Sequence, residues 1–137
     1  MSRATGALID LGALRHNLRR VRELAPRSRI MAVVKANAYG HGLAIAAQAL
    51  ADADAFAVAS LDEAQIVRRA GLSNPIVLLE GVFSEAELEE ASKWDCEFVV
   101  HDDYQLKLIE KSGLKDELTV WLKVDTGMNR LGFAPAA

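Results

Sequence analysis

The chain has 137 residues, 51% of them hydrophobic and 26% charged, which at about 150 residues per domain is one domain's worth of core-forming material. Its 16 basic and 19 acidic residues leave a formal charge of −3, too balanced for a nucleic-acid arm or a polybasic membrane surface. The one cysteine, Cys96, cannot form an internal disulfide; no Cys/His cluster has zinc-ligand spacing, so no metal site is expected.

Taken in chain order, the opening MSRATGALIDLGAL places Asp10 where a signal peptide would need its apolar core, and no stretch reaches the ~18 uninterrupted apolar residues of a spanning helix. The expectation is a soluble, cytoplasmic protein. Asp10 can cap a helix that carries Leu11, Leu14, Leu18 and Val21 on one face, and Pro26 stops it. Apolar, β-branched-rich runs follow at Ile30–Val34, Ala55–Ala59, Ile76–Leu79, Phe98–Val100 and Val120–Val124. They are continuous rather than alternating, which predicts parallel strands buried on both faces with helices outside.

Between the strands, Ser60 with Glu63 and Ser84 with Glu87 have capping-box spacing, so helices are predicted to begin near residues 61, 85 and 103. Strand centres lie a little over twenty residues apart, room for one helix and two turns. The class is therefore α/β. A closed (β/α)8 barrel needs about 250 residues, so five strands in one unit read as the first part of something larger.

Chemistry in parallel α/β folds gathers at the carboxyl ends of the strands. Here those ends carry Lys35, Ser60 to Glu63, Glu80, His101 to Asp103, and Asp125. Ser60, Asp62, Glu63, Asp102 and Asp103 are what helix N-termini require, and His101 is given no role. Lys35 differs, because it ends the apolar run MAVVK, where an ammonium is poorly hydrated and desolvation favours the neutral, nucleophilic amine. Such a lysine can condense with a carbonyl; the alternative is a side chain that snorkels into solvent. In the following KANAYGHG, Tyr39 offers a hydroxyl, and Gly40 and Gly42 let the backbone approach an anion such as phosphate at the start of the next helix. A dinucleotide site is disfavoured there, since the third glycine of the fingerprint is missing and four residues separate the strand from Gly40.

The second constellation is VWLKVDTGMNRLGF, Val120 to Phe133. Strand alternation puts Trp121 and Lys123 on one face, with Lys123 aimed into the interior, where an ammonium needs an anionic partner, a lowered pKa or covalent neutralisation. Arg130 can bind a carboxylate with both arms of its guanidinium; the competing reading is a structural ion pair between Asp125 and Arg130.

AVVKANAYGHG (Ala32 to Gly42) and LKVDTGMNRLGF (Leu122 to Phe133) resemble the two signature regions of the N-terminal half of alanine racemases, and ALIDLGALRHNL resembles that family's start. The resemblance implies an incomplete (β/α)8 TIM barrel of about the first five β/α units, with residues 1–137 as the N-terminal part of a domain that binds pyridoxal 5'-phosphate. The second half of the barrel and a C-terminal β-domain would lie outside these residues. It implies that Lys35 carries the cofactor as a Schiff base and is one of two catalytic bases. Tyr39 would support the cofactor near its phosphate, Arg130 would lie near the cofactor's phenolic oxygen and the substrate carboxylate, Met128 would line the substrate site, and Lys123 would be open to carbamylation, the resulting anion holding Arg130. The implied activity is interconversion of L- and D-alanine, for peptidoglycan or for alanine catabolism, by a homodimer. The second base, a tyrosine, would come from the β-domain, which makes the isolated chain inactive. Two other readings are a non-catalytic pyridoxal-phosphate homeostasis protein and a truncated association module with unfinished sheet edges.

Overall fold

The computed structural model describes residues 6–114 and 117–135. In these the elements run α1 (Leu11–Leu24), β1 (Met31–Val33), α2 (Lys35–Tyr39), α3 (Leu43–Ala49), β2 (Ala55–Val58), α4 (Leu61–Arg69), β3 (Ile76–Leu78), α5 (Glu85–Lys93), β4 (Cys96–Val100), α6 (Asp103–Lys111) and β5 (Val120–Leu122). The predicted strands all form, and β4 starts two residues before its apolar run, at Cys96. Helices α4, α5 and α6 begin at residues 61, 85 and 103, where their caps place them.

The strands are parallel and lie in sequence order, β1 to β5. That order has no reversal point, the crevice that a doubly wound dinucleotide fold uses. It is the order of a barrel built strand by strand, and the molecule has the architecture of the first part of a (β/α)8 barrel. Register aligns Phe56, Ile76 and Cys96 on one face. These pack with Val58, Leu78 and Phe98 against Ala46, Ala47, Ala64, Val67, Leu88 and Ala91 of the helices. Phe56, Phe98 and Ile76 are fully buried there, each worth about 1.5–3 kcal/mol relative to exposure. The opposite face, on which Ala57, Val77, Val99 and Trp121 alternate, leads up to Lys35 and Lys123. Trp121 Nε1 donates to Glu97 Oε2 across this face at 2.6 Å.

Helix α1 starts where its cap predicts, with Asp10 Oδ1 accepting from the N–H groups of Gly12 and Ala13 at 2.8 and 3.1 Å. Its apolar face is less enclosed than the spacing suggested. Leu18 is buried, Leu11 and Leu14 are half-buried, and Val21 is exposed, because α1 packs mainly against α3 and not against the sheet.

The capping boxes also differ from expectation. Ser60 and Ser84 accept from the N–H of Glu63 and Glu87 as predicted. The returning carboxylates, however, take the N–H one residue further back, Ala59 at 2.8 Å and Phe83 at 2.7 Å. In α6 the Gln105 amide oxygen does the same to His101 N at 2.9 Å. Three successive strand-to-helix turns are thus closed by one device, which pins the residue before the cap and not the cap itself.

Candidate active site

The first constellation begins where β1 hands over to α2. Lys35 is half-buried, and the four residues after it all have left-handed backbone: Ala36, Asn37, Ala38 and Tyr39 have φ of 52°, 55°, 52° and 53°. A Cβ disfavours that region by about 1–2 kcal/mol per residue, so a run of four survives only under external restraint. Asn37 supplies part of it, its Oδ1 accepting from Leu43 N at 2.8 Å and its carbonyl from Gly42 N at 3.0 Å. The first amide of α3 is thereby satisfied within the chain. Ala36 N donates to Glu63 Oε1 at 2.6 Å.

The second constellation closes on itself. Asp125 N donates to Phe133 O at 2.8 Å and Phe133 N to Lys123 O at 2.9 Å, a two-bond neck from which residues 125–132 project as a loop. Asp125 Oδ1 accepts from the N–H groups of Gly127 and Asn129 at 2.9 and 3.0 Å, and these amides hold its carboxyl below the ordinary value. The Asp125–Arg130 ion pair is therefore absent, and Arg130 is left for the cavity.

That cavity, about 580 Å³, lies at the carboxyl ends of the strands and is lined by Lys35, Lys123 and Arg130 together with Glu80, Trp121 and Leu131 among others. Two signatures nearly ninety residues apart in the chain thus meet in one space. Three basic side chains and one carboxylate, Glu80, line it, a set that suits an anionic ligand and includes a primary amine able to condense with a carbonyl. Lys123 is half-buried and has no ion-pair partner among the described residues. The deep burial predicted for it does not occur, although its face was read correctly. Tyr39 and Met128 are 62% and 72% exposed and stand outside the cavity lining.

Glu80 is held by groups not singled out in the sequence. Its carbonyl accepts from Gln105 Nε2 at 3.0 Å and lies 3.0 Å from His101 Nε2. Gln105 is buried, and a Cβ on Gly81, whose φ is +76°, would meet its Nε2 at 2.3 Å. The signal for Gln105 was available, because Asp102-x-x-Gln105 has capping-box spacing. Among the described residues no cluster of His, Cys, Asp or Glu could hold a metal ion, and no helix is long and apolar enough to cross a membrane.

Residues 9–137 match the family model described as alanine racemase, N-terminal domain. The chain belongs to the alanine racemase family. It is 56% identical over 129 residues to the alanine racemase of Nitrosococcus oceani, covering 94% of this chain and 36% of that protein. It is 53% identical over 132 residues to the biosynthetic alanine racemase of Escherichia coli, covering 96% and 37%. The solved structure of the biosynthetic alanine racemase of Pseudomonas aeruginosa superposes with a TM-score of 0.89 at 46% identity, over 93% of this chain and 36% of that one. The chain thus spans a little over a third of the length of the relatives it matches.

Proposed function

We propose that this chain is the lysine-bearing part of a pyridoxal-phosphate-dependent alanine racemase, a soluble protein that acts in the cytoplasm as a homodimer. The observation that carries the reading is the convergence of Lys35, Lys123 and Arg130 on one cavity in a chain of this family. Pyridoxal 5'-phosphate, when bound, supplies an electron sink that acidifies the proton on the substrate's α-carbon.

The remaining work belongs to side chains. Lys35 Nζ would hold the cofactor, and its amine would take or return the α-proton on one face of the substrate. Arg130 binds the substrate carboxylate with its planar fork and fixes which face meets Lys35. Tyr39 would support the cofactor near its phosphate and Met128 would line the substrate site, as the family resemblance implies. Lys123 gains a carboxylate by adding carbon dioxide to its neutral amine with loss of a proton, and the new anion holds Arg130. Intact mass under carbon dioxide reads that step.

Inversion needs a second base on the opposite face, which the family resemblance assigns to a tyrosine of a C-terminal β-domain acting across a dimer interface, so the 137-residue chain alone is expected not to racemise alanine. The test is a chimera in which this chain replaces the corresponding third of the N. oceani relative. The chimera is expected to racemise L-alanine, with no activity from its Lys35→Ala variant or from the isolated chain. Racemisation by the Lys35→Ala chimera would refute the assignment of the base. A cofactor-carrying homeostasis protein is disfavoured because the chain carries the second signature, LKVDTGMNRLGF, and matches the alanine racemase family model over residues 9–137.

A further inference from the structure

Glu63 does more than a helix-capping residue requires. Its position, the third residue of α4, is occupied in α5 by Glu87 and in α6 by Gln105, so the three side chains can be compared directly. Glu87 makes its single backward bond to Phe83 N. Gln105 takes His101 N with its oxygen and gives its Nε2 hydrogens to the carbonyls of Glu80 and Val82 at 3.0 and 3.3 Å. Glu63 takes Ala59 N with Oε2 at 2.8 Å and, with Oε1, Ala36 N at 2.6 Å.

The chemistry at each position matches the partners. Gln105 faces one donor and two acceptors, which an amide satisfies. Glu63 faces two donors, which only a carboxylate satisfies, since an amide would turn its NH2 group against one of the two N–H bonds. The residue type follows from what lies across from it.

What lies across is the peptide that joins Lys35 to Ala36. Fixing that peptide plane fixes ψ of Lys35 and hence where its side chain leaves the backbone. The peptide also opens the run of four left-handed residues, whose later part is held by Asn37, by His41 Nδ1 at 2.7 Å from Ala38 O, and by Gly40 N and Gly42 N. At the Lys35 end the Ala36 amide is held by Glu63. The carboxylate itself is anchored, half-buried, with its backbone N–H on Ser60 and its second oxygen at the end of β2. A misplacement of about 1 Å can cost a hundredfold in a reaction that depends on alignment.

We propose that Glu63 is a positioning residue for Lys35: its carboxylate grips the Lys35–Ala36 peptide and ties it to the end of β2, keeping the amine aimed into the cavity. The proposal deepens the racemase reading and, in its functional part, rests on it.

Two measurements on the 137-residue chain test it, with variants Glu63→Gln and Glu63→Asp and with Glu87→Gln as the control that makes the same change without a bond toward Lys35. Amide hydrogen exchange needs no cofactor. Ala36 and Ala59 are expected to exchange slowly in the unaltered chain, and in Glu63→Gln one or both are expected to exchange about tenfold faster or more, with amides of β3 and β4 unchanged. Rapid exchange at Ala36 in the unaltered chain would overturn the clamp, whatever the chain's activity.

The second measurement adds pyridoxal phosphate, reduces with borohydride, and maps the label across pH. Labelling of Lys35 is expected to fall roughly ten- to a hundredfold in both Glu63 variants, with an altered pH profile, while labelling of Lys93 and Lys107 stays level. Unaltered Lys35 labelling in a folded Glu63→Gln chain overturns the proposal and leaves the racemase reading standing. Absence of Lys35 label in the unaltered chain defeats the racemase reading itself, and hydrogen exchange still decides the clamp. If both Glu63 variants fail to fold while Glu87→Gln folds, Glu63 is a stability residue and the proposal fails.

Discussion

Gly132 is pressed against Asp125: a Cβ built on it would sit 2.8 Å from the Asp125 amide nitrogen and 3.1 Å from the Lys123 carbonyl, and its φ is +122°. Those two atoms belong to the neck bonds Asp125 N to Phe133 O and Phe133 N to Lys123 O, so the glycine is what allows the loop carrying Arg130 to close. Gly132→Ala is expected to open the loop at a cost of about 1–3 kcal/mol. Limited trypsin digestion reads it, since cleavage after Arg130 should rise by about tenfold for each 1.4 kcal/mol. Equal digestion rates in the two proteins would show that the neck does not govern the loop.

The Asp125 carboxylate gives the same loop a pH dependence of known sign. The N–H groups of Gly127 and Asn129 stabilise its charged form and lower its pKa, so its contribution is complete above the unfolded value of about 3.9 and is lost as pH falls through the lower folded value. Amide resonances of Gly127 and Asn129 are expected to titrate together with a midpoint below about 3.9. Asp125→Asn should remove that titration and weaken the acid dependence of loop protection. A midpoint at or above the ordinary carboxyl value would contradict the turn geometry.

Cys96 is buried, and burial pushes its thiol up to about 11. At neutral pH the group is a protonated, inert apolar side chain. Alkylation at pH 8 is expected to proceed only as fast as the chain opens, and to become rapid in denaturant. Because the folded pKa is raised, the unfolded chain loses the proton first as pH climbs, so stability falls between about pH 9 and 11. Alkylation of the native chain at the rate of a free thiol would place Cys96 at the surface.

The fold was legible where local chemistry decides it. Continuous apolar runs such as AFAV and IVL are fully buried parallel strands, and Ser60, Ser84 and Asp102 mark helix starts because their side chains accept local N–H bonds. Strand alternation also put Lys123 on the correct face. Its degree of burial was not legible, because that depends on what covers the second face of the sheet and not on residues 120–124.

The left-handed run from Ala36 to Tyr39 escaped for a related reason. Alanine and tyrosine carry no preference for positive φ, and the restraint at the Lys35 end comes from Glu63, 27 residues away. Likewise Asp125 and Arg130 have the spacing of an ion pair, yet the backbone amides of the turn occupy the carboxylate first. Tertiary and backbone partners settled each case that residue type alone left open.

The most direct test of the account is the identity of the lysine that captures the cofactor. The chain is incubated with pyridoxal phosphate near neutral pH, reduced with borohydride, digested and mapped by mass spectrometry. The label is predicted on Lys35 in preference to the exposed lysines Lys93, Lys107 and Lys111, and Lys35→Ala should abolish the selective adduct. Label spread evenly over surface lysines, with none favoured at Lys35, would contradict the active-site assignment.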